Sequence, residues 1–286
     1  MMVSICIPTY NQTVFLTKLL HSIAVQSYKD YEVIIADDSS TSDVEMLVQS
    51  FRDRFTIQYF KNKPSLGSPL NWNKAIENSK GDIIKIMHHD DWFKNSDCLL
   101  KFAEKIEKEK YDFVFCTSEI LDVQTNQNSY NEPSDDFIKE LNENPKILFN
   151  KNLIGSPSAI AFKKEFFQPF DIKLKYLVDV DFYINLLSRK IKIAFIKEPL
   201  ITNTANNSEQ ITASSITKLV QVGEYSYLYN KHYKGAKPDE KMTAFFSDLF
   251  RWYGLKRFRE ITSKGYPHPK PILFFKKLLF KINWNN

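Results

Sequence analysis

Two adjacent aspartates, preceded by two histidines, end an apolar run in the first third of the chain. Residues 83–87 read Ile-Ile-Lys-Ile-Met, and His88, His89, Asp90 and Asp91 follow directly. Neighbouring carboxylates repel each other, and aspartate is a poor strand former. A divalent cation that holds a phosphate would stabilise both carboxylates, because such ions prefer oxygen ligands. The competing interpretation is that the two aspartates begin a turn or cap the next helix.

The overall composition is that of a globular chain. Its 286 residues are 43% hydrophobic and 26% charged, which suits one large domain with or without an appendage. The sequence contains no G-x-G-x-x-G or G-x-x-x-x-G-K-[ST] pattern, so a dinucleotide site or a P-loop loses its main support. No apolar run reaches about 18 residues, and the N-terminus has no signal-peptide pattern, which together predict a cytoplasmic protein.

Three widely spaced cysteines are expected to be buried free thiols. Cys6 and Cys116 lie in apolar, strand-like runs, and Cys98 is distant from both along the chain. This spacing does not suit a zinc site, and free thiols are consistent with a reducing cytosol.

The basic character of the chain is concentrated at its C-terminal end. The net charge is +5, and residues 251–286 hold nine Lys or Arg against one acidic residue. Within that segment, residues 271–284 combine a wide apolar face with Lys276, Lys277 and Lys281. Such a segment either lies in the interface of an anionic membrane or closes the fold as a helix packed on the core.

Apolar runs with strand character alternate with helical segments over the first 116 residues. The predicted strands are residues 3–8, 31–36, 55–60, 82–87 and 111–116. This alternation predicts an α/β sheet that is mainly parallel and covered by helices on both faces. In such sheets the ligand crevice lies at the carboxyl ends of the strands, where the pairs Tyr10-Asn11, Asp37-Asp38 and Asp90-Asp91 all fall.

The second half of the chain is less regular. Residues 122–145 are polar and are predicted to form a surface loop or insertion, and Glu198-Pro199-Leu200 is predicted to form a turn. A short strand is expected within residues 154–162, a helix at 177–187 and a further strand at 191–196. Three helices, at residues 213–233, 239–260 and 269–284, are expected to form a C-terminal appendage.

Several short motifs in one order resemble a known family. They are Ile7-Pro8-Thr9-Tyr10-Asn11, Asp37-Asp38-Ser39-Ser40, Gly67 with Asn73, Gly81-Asp82-Ile83-Ile84, Asp90-Asp91-Trp92, and Asp179 at the start of a helix. In this order and spacing the chain resembles the family 2 inverting glycosyltransferases of the GT-A fold. The resemblance covers residues 3 to about 204 and implies a GT-A domain at 1–205, with a nucleotide-sugar half at 1–117, an acceptor half at 118–205 and a helical extension at 206–286.

The resemblance assigns roles to the crevice residues. In the family the turn after the first strand lines the nucleotide pocket, and here that turn is Pro8, Thr9, Tyr10 and Asn11. Asp37 would read the base, typically the uracil N3–H, and Asn73 would lie near the ribose or the phosphates. Asp90 and Asp91 would bind Mn²⁺ or Mg²⁺ and so hold the donor. Many members carry an aspartate at the position of His88. Three interpretations of this imidazole are open: a metal ligand, a hydrogen-bond partner of a ribose or phosphate, or a neutral part of the crevice wall.

The catalytic base is also implied by the resemblance. Direct inversion needs one carboxylate beside the attacking hydroxyl, opposite the leaving diphosphate, whose charge the metal stabilises. Asp179 occupies the family position for this base, and Asp181 is the second choice. Many members carry a histidine after a Glu-Pro-Leu turn, whereas residues 203–212 have none, and Asn206 or Asn207 is the candidate substitute.

The resemblance implies transfer of a sugar from a UDP-sugar, or another nucleotide-sugar, to a glycan or polyprenyl-linked acceptor in surface-polysaccharide synthesis. The protein would work in the cytoplasm, peripherally on the inner face of the plasma membrane, and would have no nucleic-acid partner. A sugar nucleotidyltransferase is one alternative, although the turn at 9–12 lacks the glycine-rich phosphate loop it would need. A non-catalytic binding protein on a decayed transferase core is the other.

Overall fold

The structure, a computed structural model, describes residues 1–207, 217–234, 236 and 238–254. The strands are β1 Val3–Thr9, β2 Tyr31–Asp37, β3 Ile57–Lys61, β4 Ile83–Ile86, β5 Trp92–Phe93, β6 Phe113–Asp122, β7 Gln127–Asn131, β8 Ile160–Lys163 and β9 Ile193–Ala205. The helices are α1 Val14–Ala24, α2 Asp43–Gln49, α3 Leu70–Glu77, α4 Cys98–Glu107, α5 Asp135–Glu143, α6 Val178–Leu187, α7 Lys218–Tyr233 and α8 Glu240–Trp252.

These strands form one mixed sheet in the order β3-β2-β1-β4-β8-β6-β9-β5, with β7 beside β6. The first four positions are parallel, as the alternating pattern predicted. β8 then enters antiparallel between β4 and β6, β9 runs parallel to β6, and β5 and β7 add antiparallel pairs. The sheet is therefore parallel in its N-terminal half and mixed in its C-terminal half.

The central strands are buried on both faces, which explains their nearly continuous apolar sequences. Side chains alternate between the two sides, so that Ile5 and Ile7 pack in one apolar cluster and Cys6 in the other. Cys6, Cys98 and Cys116 are free and buried, as predicted. In α1, Leu16, Leu19, Leu20 and Ile23 are buried. Phe15 is half-exposed and stacks on Trp92 with ring centroids 6.5 Å apart.

Two predictions for the second half were wrong. The polar stretch 122–145 contains the outer strand β7 and the helix α5, because an edge strand exposed to water needs few apolar side chains. The predicted turn at Glu198-Pro199-Leu200 lies inside β9, which continues to Ala205. Its pairing with β6 shifts register on either side of Thr117, so the proline is accommodated at an irregularity in the ladder.

Helices α7 and α8 pack directly on the core. Val222 and Leu228 of α7 and Phe246 of α8 are fully buried in the same apolar cluster as Phe149 and Val178. The predicted helix at 269–284, with its proposed membrane face, lies outside the described residues. Within the described residues, every helix is too short or too polar to cross a bilayer.

Candidate functional site

A cleft of about 820 Å³ opens at the carboxyl ends of the central strands, and we call it the main cleft. Its walls come from the ends of β1, β4 and β9, from the loop after β2 and from the start of α6. Among its lining residues are Pro8, Thr9, Tyr10, Asp38, Gly67, Asn71, Trp72, His88, His89, Asp90, Asp91, Ser156, Lys175, Tyr176, Asp179, Asn203 and Thr204. The cleft therefore lies at the carboxyl ends of the strands, where the alternation of strands and helices predicted it.

The turn after β4 brings His88, Asp90 and Asp91 together. One possible ligand atom from each lies within 4.8 Å of the other two. The Asp91 N–H donates to the His88 carbonyl at 3.1 Å, which closes the turn. Thr204 at the end of β9 holds both carboxylates, since its N–H donates to Asp91 Oδ1 at 3.2 Å and its hydroxyl to Asp90 Oδ2 at 3.1 Å.

The electrostatics of this cluster suit a cation. Burial, and then the charge of Asp90, raises the pKa of Asp91 to about 8, so a positive charge is needed to keep both carboxylates ionised. Burial also lowers the pKa of His88 to about 4, which leaves a neutral imidazole. His88 Nε2 is buried and has no hydrogen-bond partner within the residues that the structure describes. Asp90, Asp91 and His88 therefore fit a divalent ion with oxygen and nitrogen ligands.

Of the two aspartates after β2, the structure brings Asp38 rather than Asp37 to the main cleft. The Asp37 carboxylate is fully buried and accepts hydrogen bonds from Tyr59 at 2.6 Å and from Lys61 at 3.0 Å. Asp38 accepts the N–H of Gly67 at 2.7 Å and that of Leu66 at 3.0 Å. Gly67 has φ +72°, a conformation that favours glycine. The Asp38 carboxylate thus binds the backbone of a loop whose conformation requires this glycine.

The pairing of β2 with β3 explains this difference. Lys61 lies directly opposite Asp37 in the ladder between β2 and β3, so an internal partner for Asp37 was visible once the register was known. The predicted base-reading role of Asp37 is therefore not supported by its position. Asn11, also assigned to the pocket, does not line the cleft, and its side-chain oxygen accepts the Ser40 N–H at 3.0 Å.

In α3 the structure places Asn71, not Asn73, at the main cleft. The Asn73 amide is buried and makes a pair of hydrogen bonds with the backbone of Phe170, at 2.8 and 3.1 Å. Asn71 donates to the Ala36 carbonyl at 3.0 Å and so ties the helix to β2. Trp72 packs on the His88 ring, with centroids 4.6 Å apart, and forms the wall beside the cluster of His88, Asp90 and Asp91.

Two aspartates of α6 lie in different surroundings although they are two residues apart. Asp179 faces the main cleft, where its Oδ2 accepts the Asn152 amide at 2.8 Å and its Oδ1 accepts the Val180 N–H at 2.9 Å. Burial raises the pKa of Asp179 to about 6. Asp181 does not line the cleft; it is ion-paired with Lys231 of α7 and contacts His232 Nε2, each at 2.8 Å.

The end of β9 supplies wall residues that sequence reasoning missed. Asn203 and Thr204 line the main cleft, and the Asn203 amide donates to the Ser156 hydroxyl at 2.9 Å. Asn206, a predicted substitute for the family histidine, instead donates to Asp122 at 2.7 Å, and neither it nor Asn207 lines the cleft. A strand predicted to end at Ile196 hid this wall, because it placed residues 203–204 beyond the sheet.

Comparison with known proteins decides the family. The family model described as Glycosyl transferase family 2 matches residues 4–170, more than half of the chain. The chain belongs to this family. An uncharacterised glycosyltransferase of Rickettsia typhi is 28% identical over 242 residues, which cover 80% of this chain and 70% of that protein.

Two structurally known glycosyltransferases extend the comparison. Poly(ribitol-phosphate) β-N-acetylglucosaminyltransferase TarS of Staphylococcus aureus is 28% identical over 112 residues, 38% of this chain and 19% of TarS. The crystal structure of TarS 1–349 with UDP-GlcNAc matches with a TM-score of 0.67 at 18% identity, covering 89% of this chain and 73% of that one. The mannosyltransferase PcManGT of Pyrobaculum calidifontis, with GDP-Man and Mn²⁺, gives 0.58 at 15% identity, covering 91% and 72%. The fold is the GT-A fold.

This family 2 glycosyltransferase thus carries two kinds of carboxylate in one cleft. Asp90 and Asp91 are packed together with an imidazole and suit a cation, whereas the groups that donate to Asp179 within the described residues, the Asn152 amide and the Val180 N–H, are neutral. A carboxylate that is buried without a positive partner keeps a raised proton affinity, which suits a group that must take up a proton.

Proposed function

We propose that this glycosyltransferase moves a sugar from a UDP-sugar to a hydroxyl of a glycan or polyprenyl-linked acceptor, with inversion at the anomeric carbon. The observation that carries the proposal is the presence of Asp179, with its pKa raised to about 6, in the same cleft as the cation-binding cluster. Asp179 would take the proton of the acceptor hydroxyl while the oxygen of that hydroxyl forms a bond to the anomeric carbon. The bond from that carbon to the diphosphate breaks in the same displacement, and UDP leaves.

The other groups of the cleft bind and orient the donor. Asp90, Asp91 and His88 would hold Mn²⁺ or Mg²⁺, and the bound ion would stabilise the charge on the leaving diphosphate. Pro8, Thr9 and Tyr10 would form the nucleotide side of the site, as the family resemblance implied. UDP-GlcNAc in TarS and GDP-Man with Mn²⁺ in PcManGT support a nucleotide-sugar donor and a metal for this chain.

The proposed acceptor rests on the relatives and on the sequence. TarS is named for transfer to poly(ribitol-phosphate), which supports a polymeric acceptor for this chain. We place the reaction in the cytoplasm, where the lysines and apolar residues of the segment 271–284 would contact an anionic membrane surface. We also propose a catalytic domain at residues 1–205 and an extension from residue 206, as the sequence resemblance to family 2 glycosyltransferases implies.

A donor panel tests the proposal. Purified full-length protein is mixed with UDP-, GDP- and dTDP-sugars with and without Mn²⁺, and thermal unfolding is followed, because a ligand that binds the folded state raises the melting temperature. We expect a UDP-sugar to give the largest shift, in a Mn²⁺-dependent manner, and to release UDP on incubation. Release of pyrophosphate from UTP and a sugar phosphate would indicate a nucleotidyltransferase, and binding without UDP release would indicate a non-catalytic protein. Either result would contradict the proposal.

A further inference from the structure

A carboxylate from the C-terminal helices grips the turn that carries Asp179. Glu224 of α7 is fully buried, and its Oε1 accepts the N–H of Lys175 at 2.8 Å. Its Oε2 accepts the N–H groups of Tyr176 and Leu177, both at 2.8 Å. Three consecutive backbone donors therefore converge on one side chain that lies 47 residues beyond the last of them.

The start of α6 has no side-chain cap at its N-cap position. The N-terminal N–H groups of a helix lack partners within the helix, and a side chain at the N-cap position usually accepts from them. The N-cap residue of α6 is Leu177, which has no side-chain acceptor, and no cap hydrogen bond is made there. A negative charge at this end also interacts favourably with the helix dipole. Glu224 does not cap the helix itself but holds the N-cap residue Leu177 and the two residues before it, so the turn that leads into α6 is fixed from another part of the chain.

The gripped residues belong to the site already described. Lys175 and Tyr176 line the main cleft, and Asp179 follows Leu177 by two residues. Tyr176 and Asp179 also line a second, smaller cavity of about 240 Å³, to which α7 contributes Tyr225. Helix α7 therefore holds the base-bearing turn with one residue and forms part of the wall beside it with the next.

We propose that Glu224 is a positioning residue for the transfer reaction: by holding the N–H groups of residues 175–177, it fixes the turn that presents Asp179 to the acceptor. This inference rests on the proposed function of Asp179 as base. The family match ends at residue 170, so both the turn and the residue that holds it lie beyond the matched region. The C-terminal helices then form part of the catalytic centre and are more than a cover for the core.

The charge of Glu224 provides a readout that a purely structural role would not change. Within the part of the chain that the structure describes, Asp179 interacts electrostatically with Glu224, Tyr176, Tyr183 and Tyr225, and Lys175 lines the same cleft. Burial raises the pKa of each of these tyrosines, so they stay neutral near neutral pH. Glu224 adds to the burial that raises the pKa of Asp179, and replacing it with a neutral residue lowers that pKa.

The test compares Glu224→Gln with Glu240→Gln in the full chain, by UDP release from the UDP-sugar that the donor panel selects. Glutamine offers one acceptor oxygen where the carboxylate offers two, so part of the grip is lost. We expect kcat to fall about 100-fold, because a misplacement of about 1 Å has an effect of that size, with a smaller change in the KM for the donor. The acid limb of the pH profile moves to lower pH. Glu240, in the exposed first turn of α8, loses the same charge, and its variant behaves as wild type in all three readouts.

If Glu224→Gln folds poorly, hydrogen exchange at the amides of residues 175–177 provides a second measurement. In that case Glu224→Asp, which keeps the charge on a shorter side chain, is expected to exchange faster at these amides and to lose kcat without a shift of the acid limb. An unchanged kcat in a folded Glu224→Gln protein, or a lower kcat with an unmoved acid limb, overturns the inference. If wild-type protein releases UDP from no donor, the proposed function fails instead, and the exchange rates report on the grip alone.

Discussion

The two acidic regions of the main cleft are built in different ways. Asp90 and Asp91 lie in a tight turn directly after β4, and their position follows from the sheet and from the adjacent end of β9. Asp179 lies at the start of α6, and its position depends on Asn152 and on the grip of Glu224 on the preceding turn. The region of Asp90 and Asp91 is held by the strands of the sheet. The region of Asp179 is held by side chains from distant parts of the sequence.

This difference matters for how each region tolerates change. A turn at the end of a central strand has backbone hydrogen bonds on both sides, so replacing one of its side chains changes the charge of the site more than its shape. A helix start without a local cap is positioned by a few side-chain contacts, and losing one of them moves the whole turn. We therefore expect variants of the first region to change metal binding, and variants of the second to change turnover.

The largest expected effect is that of Asp179→Asn. Asparagine has nearly the same shape but cannot take up the acceptor proton, and general-base catalysis typically contributes about 10²- to 10⁴-fold. We expect UDP release with acceptor to fall by that factor while the melting-temperature shift with donor stays. Wild-type activity should rise as the pH increases through about 6, because only the ionised form of Asp179 can take up a proton in the proposed role of base. In the variant this acid limb should disappear.

The donor-induced shift is the internal control for Asp179→Asn, since it reports on the metal and nucleotide contacts alone. A variant that keeps more than about a tenth of the wild-type rate would lie outside the range for a general base and would assign that role to another group.

A smaller effect is expected from Asp91→Asn, and it concerns the metal. Removing one of two charged ligands should raise the Mn²⁺ concentration for half-maximal activity at least about 10-fold, since even indirect metal contacts have effects of that size. Excess Mn²⁺ should recover much of the rate. Asp97→Asn, an exposed aspartate at the start of α4, is the matched control and should titrate as wild type. Equal Mn²⁺ dependence in both variants would exclude Asp91 as a ligand.

The regular part of the sheet could be predicted from the sequence, because parallel strands buried on both faces have continuous apolar runs. Once β1, β2 and β4 were recognised, the crevice and the aspartates at its edge followed. The choice between adjacent side chains could not be predicted in the same way. Whether Asp37 or Asp38 faces the cleft depends on the register with β3, where Lys61 lies opposite Asp37.

The C-terminal half was harder to predict for a related reason. β9 contains a proline, and its last residues are polar although Thr202, Asn203 and Thr204 are buried, so neither alternation nor apolar content marked its end. The burial of Glu224 could not be predicted from the sequence, because a glutamate in a helix is normally expected on the surface. Its backbone partners become known only in the folded structure. Contacts made by tertiary packing are not contained in any short window of sequence.

The smallest effect on turnover is expected from Asp181→Asn, which separates the two aspartates of α6. Asp181 is buried and contacts Lys231 and His232 of α7, so its neutralisation removes one of the two carboxylates that Lys231 contacts and should lower the free energy of unfolding by about 1–3 kcal/mol. The turn gripped by Glu224 is left intact, so kcat should stay within a few-fold of wild type at a temperature well below unfolding. Urea unfolding and UDP release, measured on the same preparation, check both statements. A loss of kcat comparable to that of Asp179→Asn would show that the helix pair, and not the grip on residues 175–177, positions the base.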